Sequence, residues 1–273
     1  MRIVISHDTI YRYRPPAAGI IQALRLSPRN HDGQYVVSWR IHLSADCPLV
    51  AHEDAFGNLT HTFSVDGPVE ELIVRAEGEV ETEDTHGVIR GAVERFPATL
   101  FLRETPLTQV DDEIAQFAMR VAGEGREIER LHRLLAAINA EIAFDTDPTH
   151  SATTAIEAFA LKRGVCQDMT HIFIAAARSL GIPARYISGY FHRIDGVTEQ
   201  DAGHAWAEAH IPGLGWVAFD PANGICTTDA HLRIAAGLDY LSAAPTRGSR
   251  FGGGAEEMSV RVFVEQAALQ AQN

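Results

Sequence analysis

Up to about Glu83 the hydrophobic positions alternate with polar ones. Ile3 and Ile5 open the pattern, followed by Ile10, Tyr11 and Tyr13, and then by Tyr35, Val37, Trp39, Ile41 and Leu43. Leu59, His61, Phe63 and Val65 continue it, and Leu72, Val74 and Ala76 close it. A period of two places successive side chains on opposite faces of a strand. The runs are separated by Pro15-Pro16, Asp32-Gly33, Phe56-Gly57-Asn58 and Asp66-Gly67-Pro68, all of which read as turns. Short alternating runs between turn signals predict an antiparallel β domain of sandwich type.

From about Thr105 the period lengthens. Ile114, Phe117, Ala118 and Val121 share one helical face, with Thr108 or Asp111 placed to cap it. Ile128, Leu131, Leu134, Leu135, Ile138 and Ile142 form a second face, set off by Gly123 and Gly125. A third short helix is expected from Thr153 to Lys162. A fourth follows Cys166, where Met169, Ile172, Phe173, Ala176 and Leu180 recur at helical spacing before Gly181 and Pro183 end it. Strands are expected at Ala184 to Phe191, His204 to Ile211 and Trp216 to Phe219, the last two joined by Pro212-Gly213-Leu214-Gly215. The glycine-rich stretch Arg247 to Ala255 reads as a loop, and Ser259 to Glu265 as a final strand. The expected class is α+β. Residues 1–100 form an N-terminal antiparallel β-sandwich-like domain, and residues 101–273 a core with its C-terminal strand.

Composition narrows the partners. A chain of 273 residues supports one large domain or two modest ones. A net charge of −13 argues against nucleic acid or an anionic membrane as the main partner. No apolar run approaches the roughly 18 residues of a membrane span. The N-terminal stretch alternates like a strand and meets charge too early for a signal peptide, so a cytoplasmic location is expected. Cys47, Cys166 and Cys226 are odd in number and lack a CxxC spacing, which fits neither a disulfide framework nor a structural zinc site.

The stretch "RGVCQDMTH" carries the candidate chemistry. Cys166 has three readings: a nucleophile, a metal ligand, or a small buried residue. Thiols attack as thiolates, and the first turn of a helix favours negative charge. Gly164 would leave room for a substrate carbonyl, and the Cys166 N–H is placed to donate to an oxyanion. Asp168, one turn away at most, opposes a thiolate. Further on, His204, Trp206, Glu208 and His210 share one strand face, and Ala205, Ala207, Ala209 and Ile211 the other. Trp216, Ala218 and Asp220 share a face of the next strand. Pairing with His204 opposite Asp220, and Glu208 opposite Trp216, lets the carboxylate hold the imidazole and frees its other nitrogen for a thiol. Singly, each residue has a plain structural reading: a surface histidine, a turn aspartate before Pro221, two packing tryptophans. Their joint order, Cys then His then Asp, favours a nucleophile. His204 and His210 are too far apart to chelate easily, and no metal or cofactor is expected. Gln167 is a candidate pocket residue, His171 a satisfied helix residue, and Tyr190 a core residue.

The segments "GVCQDMTHIFIAAARSLGIPARYISGY" and "HAWAEAHIPGLGWVAFDPANG" resemble the transglutaminase-like superfamily in its bacterial form. The resemblance runs from roughly Phe144 through Gly224. It implies a papain-like core, with the nucleophile at a helix N-terminus packed on an antiparallel sheet, behind an N-terminal β domain. It also implies a triad of Cys166 as nucleophile, His204 as general base and acid, and Asp220 as its orienting carboxylate. The implied chemistry is acyl transfer through a thioester on a peptide or protein amide. Animal members use an upstream tryptophan to help stabilise the oxyanion. None lies between Trp39 and Cys166, and there is no acidic cluster suited to calcium, so hydrolysis is the favoured outcome. The alternatives are protein-glutamine crosslinking, acetyl transfer from a coenzyme A thioester as in arylamine N-acetyltransferases, and a binding module whose triad is unused.

Overall fold

The alternating N-terminal region folds around two long antiparallel strands, β1 (Arg2–Ser27) and β4 (Leu59–Thr82). β2 (Gln34–Leu43) and β3 (Val50–Glu53) pair with the two ends of β4. The computed structural model describes residues 1–147 and 149–267. Two of the four expected turns are absent: β1 runs through Pro15-Pro16 and β4 through Asp66-Gly67-Pro68. The β1–β4 register is irregular between Arg12 and Gly19, and neither Pro15, Pro16 nor Pro68 takes part in the pairing. A proline lacks the N–H a ladder needs, so these residues bend the strands without ending them. The irregularity also switches the buried face. Ile3, Ile5, Tyr11 and Tyr13 are buried before it, and Ile20, Leu24 and Leu26 after it. Tyr11, Tyr13, Ile20, Leu24 and Leu26 thereby share one core with Phe63, Leu72 and Val74, while Ile3 and Ile5 join the core of the helices.

The chain then crosses to a second sheet. β5 (Val88–Ile89) already pairs there. Helices α1 (Asp112–Ala122) and α2 (Glu127–Glu141) follow, and Asp111 caps α1 by accepting the Ile114 N–H at 2.8 Å. Short parallel strands β6 (Ala143–Phe144) and β7 (Arg163–Gly164) bracket α3 (Ala155–Leu161). Next come α4 (Cys166–Ser179), β8 (Ala184–Phe191), β9 (Glu199–Gln200), β10 (His204–Ile211), β11 (Gly215–Asp220), β12 (Ile225–Cys226) and β13 (His231–Gly237). The second sheet is antiparallel in the order β12-β11-β10-β8-β13. Ala205, Ala207 and Ala209 on one face of β10 are small enough to let α4 pack closely, with Ile172 and Phe173 in the same core. Burying each such large side chain contributes about 1.5–3 kcal/mol, which anchors the helix that carries Cys166. Trp206 occupies the other face with Ile187, Ala218 and Ala236.

After α5 (Tyr240–Ala243) the chain returns to the first sheet. β14 (Thr246–Phe251) pairs with Gly19–Leu24 of β1, where a glycine-rich loop was expected. Gly248 is there for close approach: a Cβ on it would sit 2.3 Å from the Ile21 carbonyl oxygen. β15 (Ala255–Gln266) pairs with Ile3–Arg14 of β1, and β9 lies on its outer side. The C-terminal strand grouped with residues 101–273 therefore belongs to the N-terminal sheet. The whole is α+β with antiparallel sheets. Among the described residues, no helix is long and apolar enough to cross a membrane.

Candidate active site

Cys166 is the first residue of α4 and half-buried. Val165 precedes it in extended backbone, and its N–H donates to Asp168 Oδ2 at 2.8 Å. Thr149 Oγ1 donates to the same oxygen at 2.7 Å. Asp168 is thus the capping carboxylate of α4, which explains a charge so close to a thiol. Burial raises its proton affinity. Gly164 serves this cap. A Cβ there would lie 2.7 Å from both Cβ and Oδ2 of Asp168, so the space expected for a substrate carbonyl is filled by the carboxylate.

The register of β10 with β11 differs from expectation by two residues. Glu208 faces Ala218, and His210 faces Trp216. An even shift keeps every side chain on its face, so His204 and Asp220 become diagonal neighbours within reach. His204 Nε2 lies 2.7 Å from Asp220 Oδ2. With Nε2 committed, Nδ1 is the ring nitrogen left for a thiol, and Cys166 lines the same cavity as His204. Burial would lower the proton affinity of His204. The Asp220 carboxylate, and then Cys166, outweigh it and raise the value to about 10.

Asp220 is fully buried and accepts five hydrogen bonds. Oδ1 takes the N–H groups of Ala222 and Asn223 at 3.1 and 3.2 Å. Besides His204, Oδ2 takes Asn223 Nδ2 at 2.7 Å and His231 Nε2 at 3.1 Å. Burial would raise its proton affinity, but the charge and hydrogen bonds of His204 and His231 hold it well below the usual carboxylate range. His231 has a defined tautomer. Its Nδ1 accepts the Thr228 N–H at 3.1 Å, so Nε2 carries the proton given to Asp220. Burial keeps it neutral by lowering its proton affinity. Its ring packs on Phe191 at 4.6 Å and edge-on to Trp206 at 5.3 Å.

Sequence reasoning passed over His231 and used Asn223 only as part of a turn. The one available signal was the "DPANG" turn, whose asparagine can fold back on the aspartate. His231 begins a strand without a clean alternating pattern. His204, Asp220 and His231 also offer three ligand atoms within 4.8 Å of one another. Ligands about 2.1 Å from a tetrahedral metal would stand roughly 3.4 Å apart. The contacts of 2.7 and 3.1 Å are those of shared protons.

Of the remaining candidates, Gln167 lines the cavity beside Cys166. His171 is buried, its Nε2 accepts the Tyr240 N–H at 3.1 Å, and burial lowers it to about 4. Tyr190 is buried and its hydroxyl lies 2.8 Å from His7 Nδ1 of β1. The cavity holds about 300 Å³ and is walled by both sheets.

The chain has relatives among known proteins. Residues 115–221 match the transglutaminase-like superfamily, and residues 3–81 match the bacterial transglutaminase-like N-terminal region. An uncharacterised protein of Mycobacterium leprae is 30% identical over 283 residues, covering 98% of this chain and 99% of its own. The chain belongs to the transglutaminase-like superfamily. A second uncharacterised relative, from Mycobacterium tuberculosis, is 26% identical over 275 residues, covering 90% of this chain and 87% of its own. The transglutaminase-like fold is shared along its whole length with a candidate cysteine protease of Cytophaga hutchinsonii. That structure superposes with a TM-score of 0.78 at 19% identity, covering 100% of this chain and 92% of the other.

Proposed function

We propose that this transglutaminase-like protein is a cysteine-dependent hydrolase of peptide or amide bonds. The observation that carries the reading is the 2.7 Å hydrogen bond between Asp220 and His204, with His204 lining one cavity together with Cys166 at a helix N-terminus. A histidine raised to about 10 is an imidazolium at neutral pH and holds a proton ready for the departing nitrogen.

In this reading the Cys166 sulfur attacks the amide carbonyl carbon and the carbonyl electrons move to oxygen. The Cys166 N–H at the start of α4 donates to that oxyanion. His204 gives its proton to the departing nitrogen, the C–N bond breaks, and a thioester remains. Neutral His204 then takes a proton from water as the hydroxide attacks. The C–S bond breaks, the acid leaves, and imidazolium and thiolate are restored. Asp220 holds the ring tautomer throughout.

Water is favoured over an amine as acceptor. The cavity opens at its mouth to bulk water, which far outnumbers any amine acceptor. The test is turnover of peptide amides with a primary amine present, following acid formation against amine incorporation. Cys166→Ala should abolish both without unfolding the protein, and His204→Ala should come close. Full activity in Cys166→Ala would defeat the mechanism, and dominant amine incorporation would make the protein a crosslinking transferase.

A further inference from the structure

The cavity beside Cys166 is made by both sheets. β1 supplies His7, Thr9 and Leu26, and β15 supplies Met258 and Val260. Apart from Arg25, the polar groups of these walls carry no charge. Burial lowers His7 to about 4, and its two nitrogens are taken by Tyr190 at 2.8 Å and Thr9 at 3.1 Å. Burial likewise holds Tyr186, across from them on β8, well above the usual phenol value. Arg25 reaches the wall with its charge paired to Asp54 through Nε at 2.8 Å, while its Nη1 is buried without a hydrogen-bond partner among the described residues. Asp201 is exposed at the mouth. A charged group drawn inside would lose its hydration, and the cations beside it, Arg25 and His204, already have carboxylate partners in Asp54 and Asp220. The volume sits at the small end of the roughly 300–1,000 Å³ usual for ligand sites, the size of one side chain or a short acyl group.

We propose that this cavity is the acyl-group pocket, that the N-terminal sheet and its partner β15 form its selective wall, and that it accepts uncharged acyl groups over charged ones. The proposal rests on the acyl-transfer reading and gives the β domain a role in it. Met258 is the adjustable position. It lines the cavity yet is 56% exposed, so the fold tolerates a charge there.

The test uses alkylation of Cys166, so it does not depend on turnover. The full chain is treated with haloacetamides bearing an isobutyl, a carboxyethyl or an aminoethyl tail. Modification of Cys166 is followed by peptide mass spectrometry, each rate being divided by the reagent's rate with free N-acetylcysteine. The neutral tail should react at least tenfold faster than either charged one. Met258→Glu should raise the aminoethyl rate relative to the carboxyethyl rate at least threefold. Val260→Trp should slow the isobutyl reagent at least fivefold and leave tail-free iodoacetamide within twofold, which also reports that the site is folded. Three normalised rates within twofold in the natural protein would overturn the proposal, as would a preference that neither substitution moves. Discrimination among tails without any amide turnover would keep the pocket and reject the acyl-transfer reading.

Discussion

Replacing His231 with phenylalanine separates its hydrogen bond from its packing. The new ring can keep the contacts with Phe191 and Trp206 while the Nε2 donor to Asp220 disappears. A hydrogen bond to a charged group is worth about 1.5–3 kcal/mol, and a contact of 3.1 Å belongs at the lower end. The Thr228 N–H also loses its acceptor, which adds about 1 kcal/mol at a partly exposed loop. The variant should therefore be less stable by about 2–3 kcal/mol near neutral pH in chemical denaturation. Its deficit should narrow in acid. His231 has a depressed proton affinity, so its contribution in the natural protein falls away as pH drops below its ordinary value of 6.5. Four donors remain on Asp220, enough to keep it ionised. Loss of about 1.4 kcal/mol of orientation would slow amide turnover about tenfold, with little change in KM. Relieved of one donor, the carboxylate should hold the His204 proton more tightly and move the basic limb of kcat/KM upward. Unchanged turnover and pH profile in a folded variant would refute this account. Complete loss, matching Cys166→Ala, would instead make His231 the acting base.

Other substitutions probe the rest of the site. Asp220→Asn should cut amide turnover on the order of a hundredfold or more, short of the loss in Cys166→Ala, because it orients and does not react. It should also flatten the alkaline decline in stability. The raised value of His204 stabilises the fold fully below pH 6.5, and that contribution is lost as pH rises to about 10; pH-dependent denaturation would detect an unchanged decline. Asp168→Asn should be neutral or stabilising at pH 7, because it keeps an acceptor for Val165 and removes a buried charge whose burial raises its proton affinity. A loss above about 2 kcal/mol, the upper range for a lost cap, would contradict the capping role. Gly164→Ala should destabilise by about 1–3 kcal/mol through its collision with Asp168, and thermal melting unaffected by the change would rule that contact out.

The local elements were largely legible because their periods are clean. α1, α2, α4, β8 and β10 lie where the spacing of apolar residues puts them. The face shared by His204 and Asp220 was also readable, because an error of two in register preserves it. Partnership between distant strands was not readable. Period two identifies a strand but says nothing of its neighbour, so the pairing of β15 with β1 left no trace in either segment alone. Prolines and glycines misled for a related reason. Pro15, Pro16 and Gly248 look like breaks, yet they sit at a bend and at a close approach inside continuous strands. Asp168 looked like an electrostatic fault until its hydrogen bonds to Val165 and Thr149 were known.

The pairing of β1 with β15 also orders events in time. Ile3 leaves a ribosome well before Gln266, and the two face each other in the sheet. His7 and Thr9 wait on an unfilled strand edge while the helices and the second sheet are being made. Pairing so distant in sequence is slow to form. A nascent chain can assemble the Cys166, His204 and Asp220 array before the far wall of its pocket exists. Selectivity would then be acquired only once β15 has been made, and lost if translation stops short of it.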